Sequence, residues 1–156
     1  MSTDFKIESG NHYVTGIPGI DSQHKEFFLM LDGFLNSLKS EKLSPEIVRA
    51  AIQQIFEHLR SHLFTEESLM EMVDFPKVAD HKAQHRNFIN LFNEEIKALK
   101  DVDNPGIIRF VRSYRHIALT HINVFDREYV EFIENIMSVK KRFSIIDLRA
   151  EQATAG

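Results

Sequence analysis

Seven side chains in this 156-residue sequence are of types that hold transition metals, at spacings that can gather them. They are His24, the pair His62 and Glu66, the pair His81 and His85, and the pair His121 and Asp126. Residues four apart share one face of an α-helix with Cβ atoms ~6 Å apart, so each middle pair can aim two ligands at one point. His121 and Asp126 are five apart, about 140° around an α-helix, so one of them has to reach sideways. That suits a carboxylate spanning two ions better than two ligands on one. Burying five imidazoles and two carboxylates without compensation costs several kcal/mol per group. A metal offsets that cost; one ion cannot use seven side chains, but two can if the carboxylates bridge.

A lone histidine on an apolar stripe is ordinarily a hydrogen-bonded core residue. One on every predicted helix, with an i,i+4 ligand pair on each of two helices, is not explained that way. Imidazole with carboxylate suits Fe, Zn, Cu or Mn, and the absence of Cys argues against Cu(I) and structural Zn. Carboxylates shared between two ions in a bundle core are typical of di-iron proteins, although the usual Glu-x-x-His pattern is missing here. Neutral histidine ligands leave little negative charge to stabilise high-valent iron. Reversible O2 binding is therefore expected over O2 activation.

These residues need rods to carry them, and the periodicity supplies four. The first starts after Pro18-Gly19 with Asp21 or Ser22 as its cap, follows the stripe Ile20, His24, Phe27, Phe28, Leu31, Phe34, Leu35, Leu38, and stops near Ser40. The second starts at Ser44-Pro45 and runs to about Met72, before Pro76. The third opens between Lys77 and Asp80 and runs to about Lys100. The fourth is capped by Asn104, with Pro105 at its first position, and reaches about Met137. Short connections force neighbours to run antiparallel, which predicts an all-α, up-down-up-down antiparallel four-helix bundle. The expected organisation is a single domain over 1–156: an arm over 1–18, the bundle over 19–137, and a tail over 138–156 forming a short C-terminal helical extension.

Composition narrows the partners. Lys+Arg number 19 against 23 Asp+Glu, so there is no basic excess to hold a nucleic acid. The longest apolar run, Phe27 to Leu31, is far short of the ~20 residues that cross a bilayer, and the polar residues 1–10 do not resemble a secretory signal. With no Cys, the chain suits a reducing compartment, and a cytoplasmic location is expected.

Four segments carry a family resemblance: Gly16-Ile17-Pro18-Gly19-Ile20-Asp21-Ser22-Gln23-His24, His62-Leu63-Phe64-Thr65-Glu66-Glu67, His81-Lys82-Ala83-Gln84-His85 and His121-Ile122-Asn123-Val124-Phe125-Asp126. Across roughly residues 13 to 130 the sequence resembles the hemerythrins in their single-domain bacterial form. The resemblance implies two Fe ions (Fe2+/Fe3+), one on His81, His85 and His121, the other on His24 and His62. Glu66 and Asp126 would bridge them together with a solvent-derived oxo or hydroxo group. The two-His iron would keep an open position for O2, and nitric oxide or small anions are candidate ligands there too.

The departures from the family pattern fall around that open position. Bacterial members commonly carry Trp four residues before the last histidine; here it is Ile117, in a chain without Trp. Leu63 stands where Phe is frequent, and Ala118 is small. Leu63, Ile117, Ala118 and Ile122 are expected to line an apolar O2 pocket roomier than usual.

Among the remaining candidates, His58 is one turn before His62 and could orient a ligand, Glu67 should face away from the bridge, and His12 and His116 are expected to be peripheral. The phenylalanines are expected in the core and Met70 and Met72 in the core or at a helix end. The Lys140-Lys141-Arg142 cluster is expected on a solvated face, with the tail as a candidate docking segment for a protein partner. Three readings follow: an O2-binding protein for storage, delivery or sensing; a di-iron oxidoreductase (peroxidase, or nitric oxide or O2 scavenger) using the same open iron; and an interaction module with a structural metal.

Overall fold

In the computed structural model the backbone is described for residues 13–98 and 104–154, and side chains for 13–97 and 104–141. His12, the rest of the arm before it, and the side chains of Arg142 and the apolar tail residues lie outside these. Helix α1 spans Pro18–Ser40, α2 Pro45–Met72, α3 Val78–Ala98 and α4 Asn104–His121. A five-residue π-helical turn, Ile122–Asp126, then leads without a break into α5, Arg127–Thr154. The last three elements form one rod, so four rods pack as an all-α bundle, with no strand among the described residues. No described helix is long and apolar enough to cross a membrane.

The element boundaries have local causes. Ser44 caps α2 by accepting the Ile47 amide, with Pro45 in the first turn. Helix α1 begins earlier than its expected cap: Ile17 is the cap residue and makes no side-chain cap bond, because Pro18 already fixes a helical φ at the first position. Asp21 is thereby freed to hold the incoming chain, accepting from the Thr15 amide at 2.6 Å, the Thr15 hydroxyl at 2.8 Å and the Gly16 amide at 3.0 Å. Gly16, with φ of 86°, supplies the bend this requires. Asn104 is the first residue of α4 rather than its cap, and its amide donates to the Leu38 and Glu41 carbonyls, pinning α4 to the end of α1. The fourth rod does not stop at Met137: nothing in that stretch breaks a helix, and the tail continues it.

Two apolar clusters bracket the middle of the bundle. The larger joins Phe27, Leu31 and Leu35 of α1, Ile55, Leu59 and Leu63 of α2, Phe88 and Phe92 of α3, and Phe110, Tyr114 and Ala118 of α4. The smaller gathers Met70, Phe75, Tyr129 and Val130 at the opposite end. Along α2, Glu66 falls between Leu63 of the first cluster and Met70 of the second, so a polar layer is sealed on both sides by hydrocarbon. The aromatic set is mostly core, as its spacing suggests, but Phe64 is 71% exposed. Its position, one residue past the inward Leu63, turns it outward.

Candidate metal centre

The polar layer contains the seven residues singled out by spacing, each with under 7% of its surface exposed. They fall into two sets sharing one member: Glu66, His81, His85, His121 and Asp126, and His24, His62 and Glu66, with ligand atoms in each set within 4.8 Å of one another. Glu66 Oε2 is 3.5 Å from His62 Nε2 and 3.4 Å from His85 Nε2, so this carboxylate stands between the two sets. Asp126 Oδ1 is 3.2 Å from His81 Nε2 and 3.1 Å from His121 Nε2, while Oδ2 is 4.0 Å from His24 Nε2.

The five-residue interval between His121 and Asp126 is resolved by the backbone. A π turn closes through i→i+5 bonds, so residues five apart stack above one another instead of lying 140° apart. Neither side chain has to reach sideways. Phe88 lies parallel to the His121 ring, with centroids 5.3 Å apart, and Tyr114 stacks on Phe88 in turn.

Three of the five imidazoles are aimed from behind. His24 Nδ1–H donates to the Tyr13 carbonyl at 2.8 Å, His62 Nδ1–H to Gln23 Oε1 at 3.0 Å, and His85 Nδ1–H to Glu67 Oε1 at 2.8 Å. The Gln23 amide in turn donates to Thr65, and Glu67 pairs with Lys82, which also binds Glu71. A proton on Nδ1 leaves a lone pair on Nε2, and all three lone pairs face the carboxylates. Burial holds the His62 imidazole down at about 4, so it is neutral near pH 7.

Burial works against ionisation of Glu66 and Asp126, yet the surrounding histidines bring both net below the ordinary carboxylate range, so both are charged. Among the described residues no lysine or arginine lies within ion-pair distance of either. The Tyr129 hydroxyl donates to Glu66 Oε1 at 2.7 Å; the other Glu66 oxygen, both Asp126 oxygens and Nε2 of His24, His81, His85 and His121 have no hydrogen-bond partner. Two buried carboxylates facing four Nε2 atoms that make no hydrogen bond cost several kcal/mol unless cations lie between them. The donor set therefore fits a metal centre, and the sharing of Glu66 fits two ions.

The remaining candidates are dispersed. His58 Nε2–H donates to the Gln23 carbonyl at 2.9 Å, steadying the α1 segment that carries Gln23 and His24 without touching a candidate ligand. Glu67 points away from Glu66, onto His85. Leu63, Ala118 and Ile122 are buried in the larger apolar cluster, with Ile117 half-buried against it, and three of the four also border surface recesses. Leu63 lines one with Glu67 and His85, Ile117 one of about 190 Å³ with His121 and Phe125, and Ile122 one with Val14 and Thr15. His116 and Met72 are exposed, Met70 is buried, and Lys140 and Lys141 face solvent. Tyr129, Gln23 and the Tyr13 carbonyl were not singled out from sequence. Tyr129 stands one turn beyond Asp126, which is a usable signal, but its partner Glu66 is 63 positions away and only the fold reveals the pair.

Comparison with known proteins gives results consistent with this geometry. A family model described as the hemerythrin HHE cation binding domain matches residues 15–133. A protein named bacteriohemerythrin from Ralstonia nicotianae is 25% identical, covering 72% of this chain and 77% of its own length. Another of that name, from Stenotrophomonas maltophilia, is 27% identical over 73% of this chain and 82% of its own length. A Methanocaldococcus jannaschii protein named peroxiredoxin is 31% identical over 47% of this chain, which spans only 36% of that protein's length. No solved structure matches.

Proposed function

This chain belongs to the hemerythrin family, and from that premise we propose that it is a non-haem di-iron protein that binds O2 reversibly, for storage, delivery or sensing. The observation that carries the reading is the buried constellation itself: five imidazoles presenting Nε2 to two carboxylates that have no lysine or arginine partner among the described residues. His81, His85 and His121 would hold one iron and His24 and His62 the other, with Glu66 and Asp126 spanning the pair and a solvent-derived oxo or hydroxo group completing it. A ferrous pair held this way supplies the electrons for reversible O2 uptake.

The chain's own part is positioning and exclusion. Nδ1 bonds from His24, His62 and His85 fix ring rotation, Tyr129 fixes Glu66, and the π turn fixes Asp126 under His121. Leu63, Ile117, Ala118 and Ile122 add apolar cover that disfavours water and charged species. We read residues 1–156 as one such unit with an arm and a helical tail, in the cytoplasm.

The similarity to a protein named peroxiredoxin supports a second reading, as a di-iron oxidoreductase consuming peroxide, O2 or nitric oxide. With no cysteine, any such turnover here would have to run at the metal centre. Metal analysis together with stopped-flow mixing of reduced, iron-loaded protein with O2 separates the two. A stable visible band that bleaches on deoxygenation supports binding. Turnover with no accumulating adduct supports catalysis, and absence of transition metal from reconstituted protein refutes both.

A further inference from the structure

Helix α5 outruns the bundle. The smaller apolar cluster takes in Phe132 and Ile133, with Phe132 against Phe75 at 5.3 Å between ring centroids, and the family match stops at residue 133. Beyond it the described side chains up to Lys141 are exposed except for a half-buried Ile136, and Val139 is 48% exposed. Yet the helix continues to Thr154, three further heptads or about 32 Å.

The apolar stripe that α5 uses inside the bundle does not end where the bundle does. Counting from the buried Tyr129 as position a, the a positions are Tyr129, Ile136, Phe143 and Ala150, and the d positions are Phe132, Val139, Ile146 and Ala153. An unbroken seven-residue a/d repeat is the pattern by which two helices pair in a left-handed coiled coil. The first two residues of this seam are covered by the chain's own bundle. The last four fall on the stretch of α5 that continues past Lys141.

The flanking charges select the occupant and its direction. Arg142 and Arg149 occupy g positions, and Lys140 and Asp147 occupy e positions. In a parallel pair of identical helices, g faces the e position of the following heptad on the other helix, which sets Arg142 opposite Asp147 twice over by symmetry. An antiparallel pair sets g against g and e against e, so its arginine contacts offset the Lys140–Asp147 pairs it gains, and the parallel pair is favoured. We propose that the α5 overhang is a self-association surface, on which a second copy of this chain docks in parallel to form a two-stranded coiled coil with both bundles at the same end.

Light scattering and sedimentation of the full, iron-loaded chain test this. The expected result is a concentration-dependent species of twice the 18.2 kDa chain mass. Ile146→Glu, at a d position, abolishes it, whereas Leu148→Glu, at f, leaves it intact. Arg142→Asp weakens the dimer and the double variant Arg142→Asp/Asp147→Arg restores it. Because the chain has no other thiol, Ala153→Cys should give a disulfide-linked dimer on mild oxidation, since only a parallel pair sets position 153 against itself. A chain that stays monomeric at all concentrations, including one that binds anionic vesicles instead, overturns the proposal. So does equal loss of the dimer with Leu148→Glu, and an Ala153→Cys dimer that fails to cross-link overturns the parallel arrangement.

Discussion

Removing the Tyr129 hydroxyl isolates what the outer contacts contribute to the metal layer. Tyr129 is fully buried and its hydroxyl is the one hydrogen-bond donor to Glu66 Oε1 among the described residues, at 2.7 Å. Tyr129→Phe keeps the ring against Met70 and Phe75 and strands a buried, ionised oxygen. A hydrogen bond to a charged group contributes about 1.5–3 kcal/mol, so metal-free protein should lose roughly 2 kcal/mol in urea unfolding, about 4–8 °C in Tm for a chain of this size. Tyr114→Phe is the matched control. Its hydroxyl is equally buried and donates at the same 2.7 Å, but to the neutral Phe88 carbonyl, where about 1 kcal/mol is expected. The two variants should also separate in chelator competition. Tyr129→Phe should weaken metal binding by about 10- to 100-fold because a bridging ligand loses its orientation, while Tyr114→Phe should leave it unchanged. Equal destabilisation by the two, together with unchanged metal affinity, would refute the reasoning.

Three further expectations are simpler to read out. Glu66→Ala should lower iron toward one per chain by elemental analysis, since this carboxylate alone belongs to both ligand sets; two retained irons contradict a bridging role. In metal-free protein, His62 titrates at about 4 when folded against 6.5 in a free chain, so between those values the unfolded state binds more protons and stability falls as pH falls. Urea unfolding should show a loss of about 3 kcal/mol across that window for this group, with the two depressed carboxylates adding in the same direction, and a flat profile from pH 6.5 to 4 counts against the buried neutral imidazole. Ile117→Trp should fill the recess of about 190 Å³ beside His121 and slow autoxidation of reduced, oxygenated protein severalfold; equal rates show that this recess does not admit the oxidising water or anions.

Much of the bundle was legible because its signals are local. Ser44-Pro45 announces the start of α2, and the stripe from Ile20 to Leu38 faces inward as its spacing requires. The seven polar residues could be found because i,i+4 pairs advertise a shared face. What stayed hidden depends on atoms distant in the chain or on backbone geometry that composition does not encode. The π turn looks like ordinary helix in sequence, so Asp126 seemed misdirected by about 140° when it is in register. Asp21 looked like a cap because nothing local shows that its carboxylate is already engaged by Thr15 and Gly16. The Tyr129–Glu66 bond joins α5 to α2 across 63 positions, a pairing that no local pattern signals.

The π turn at Ile122–Asp126 reaches beyond the layer it serves. Its wider coil accommodates an extra residue that a regular helix would not, so it resets the angular phase of everything downstream. Force the same residues into regular α-helix and the rod past Arg127 is swung by about 100°, taking Tyr129 off Glu66 and re-aiming the projecting stripe together. The bearing of the protruding arm and the alignment of the buried acid are thus gear-linked: evolution cannot retune one while leaving the other untouched.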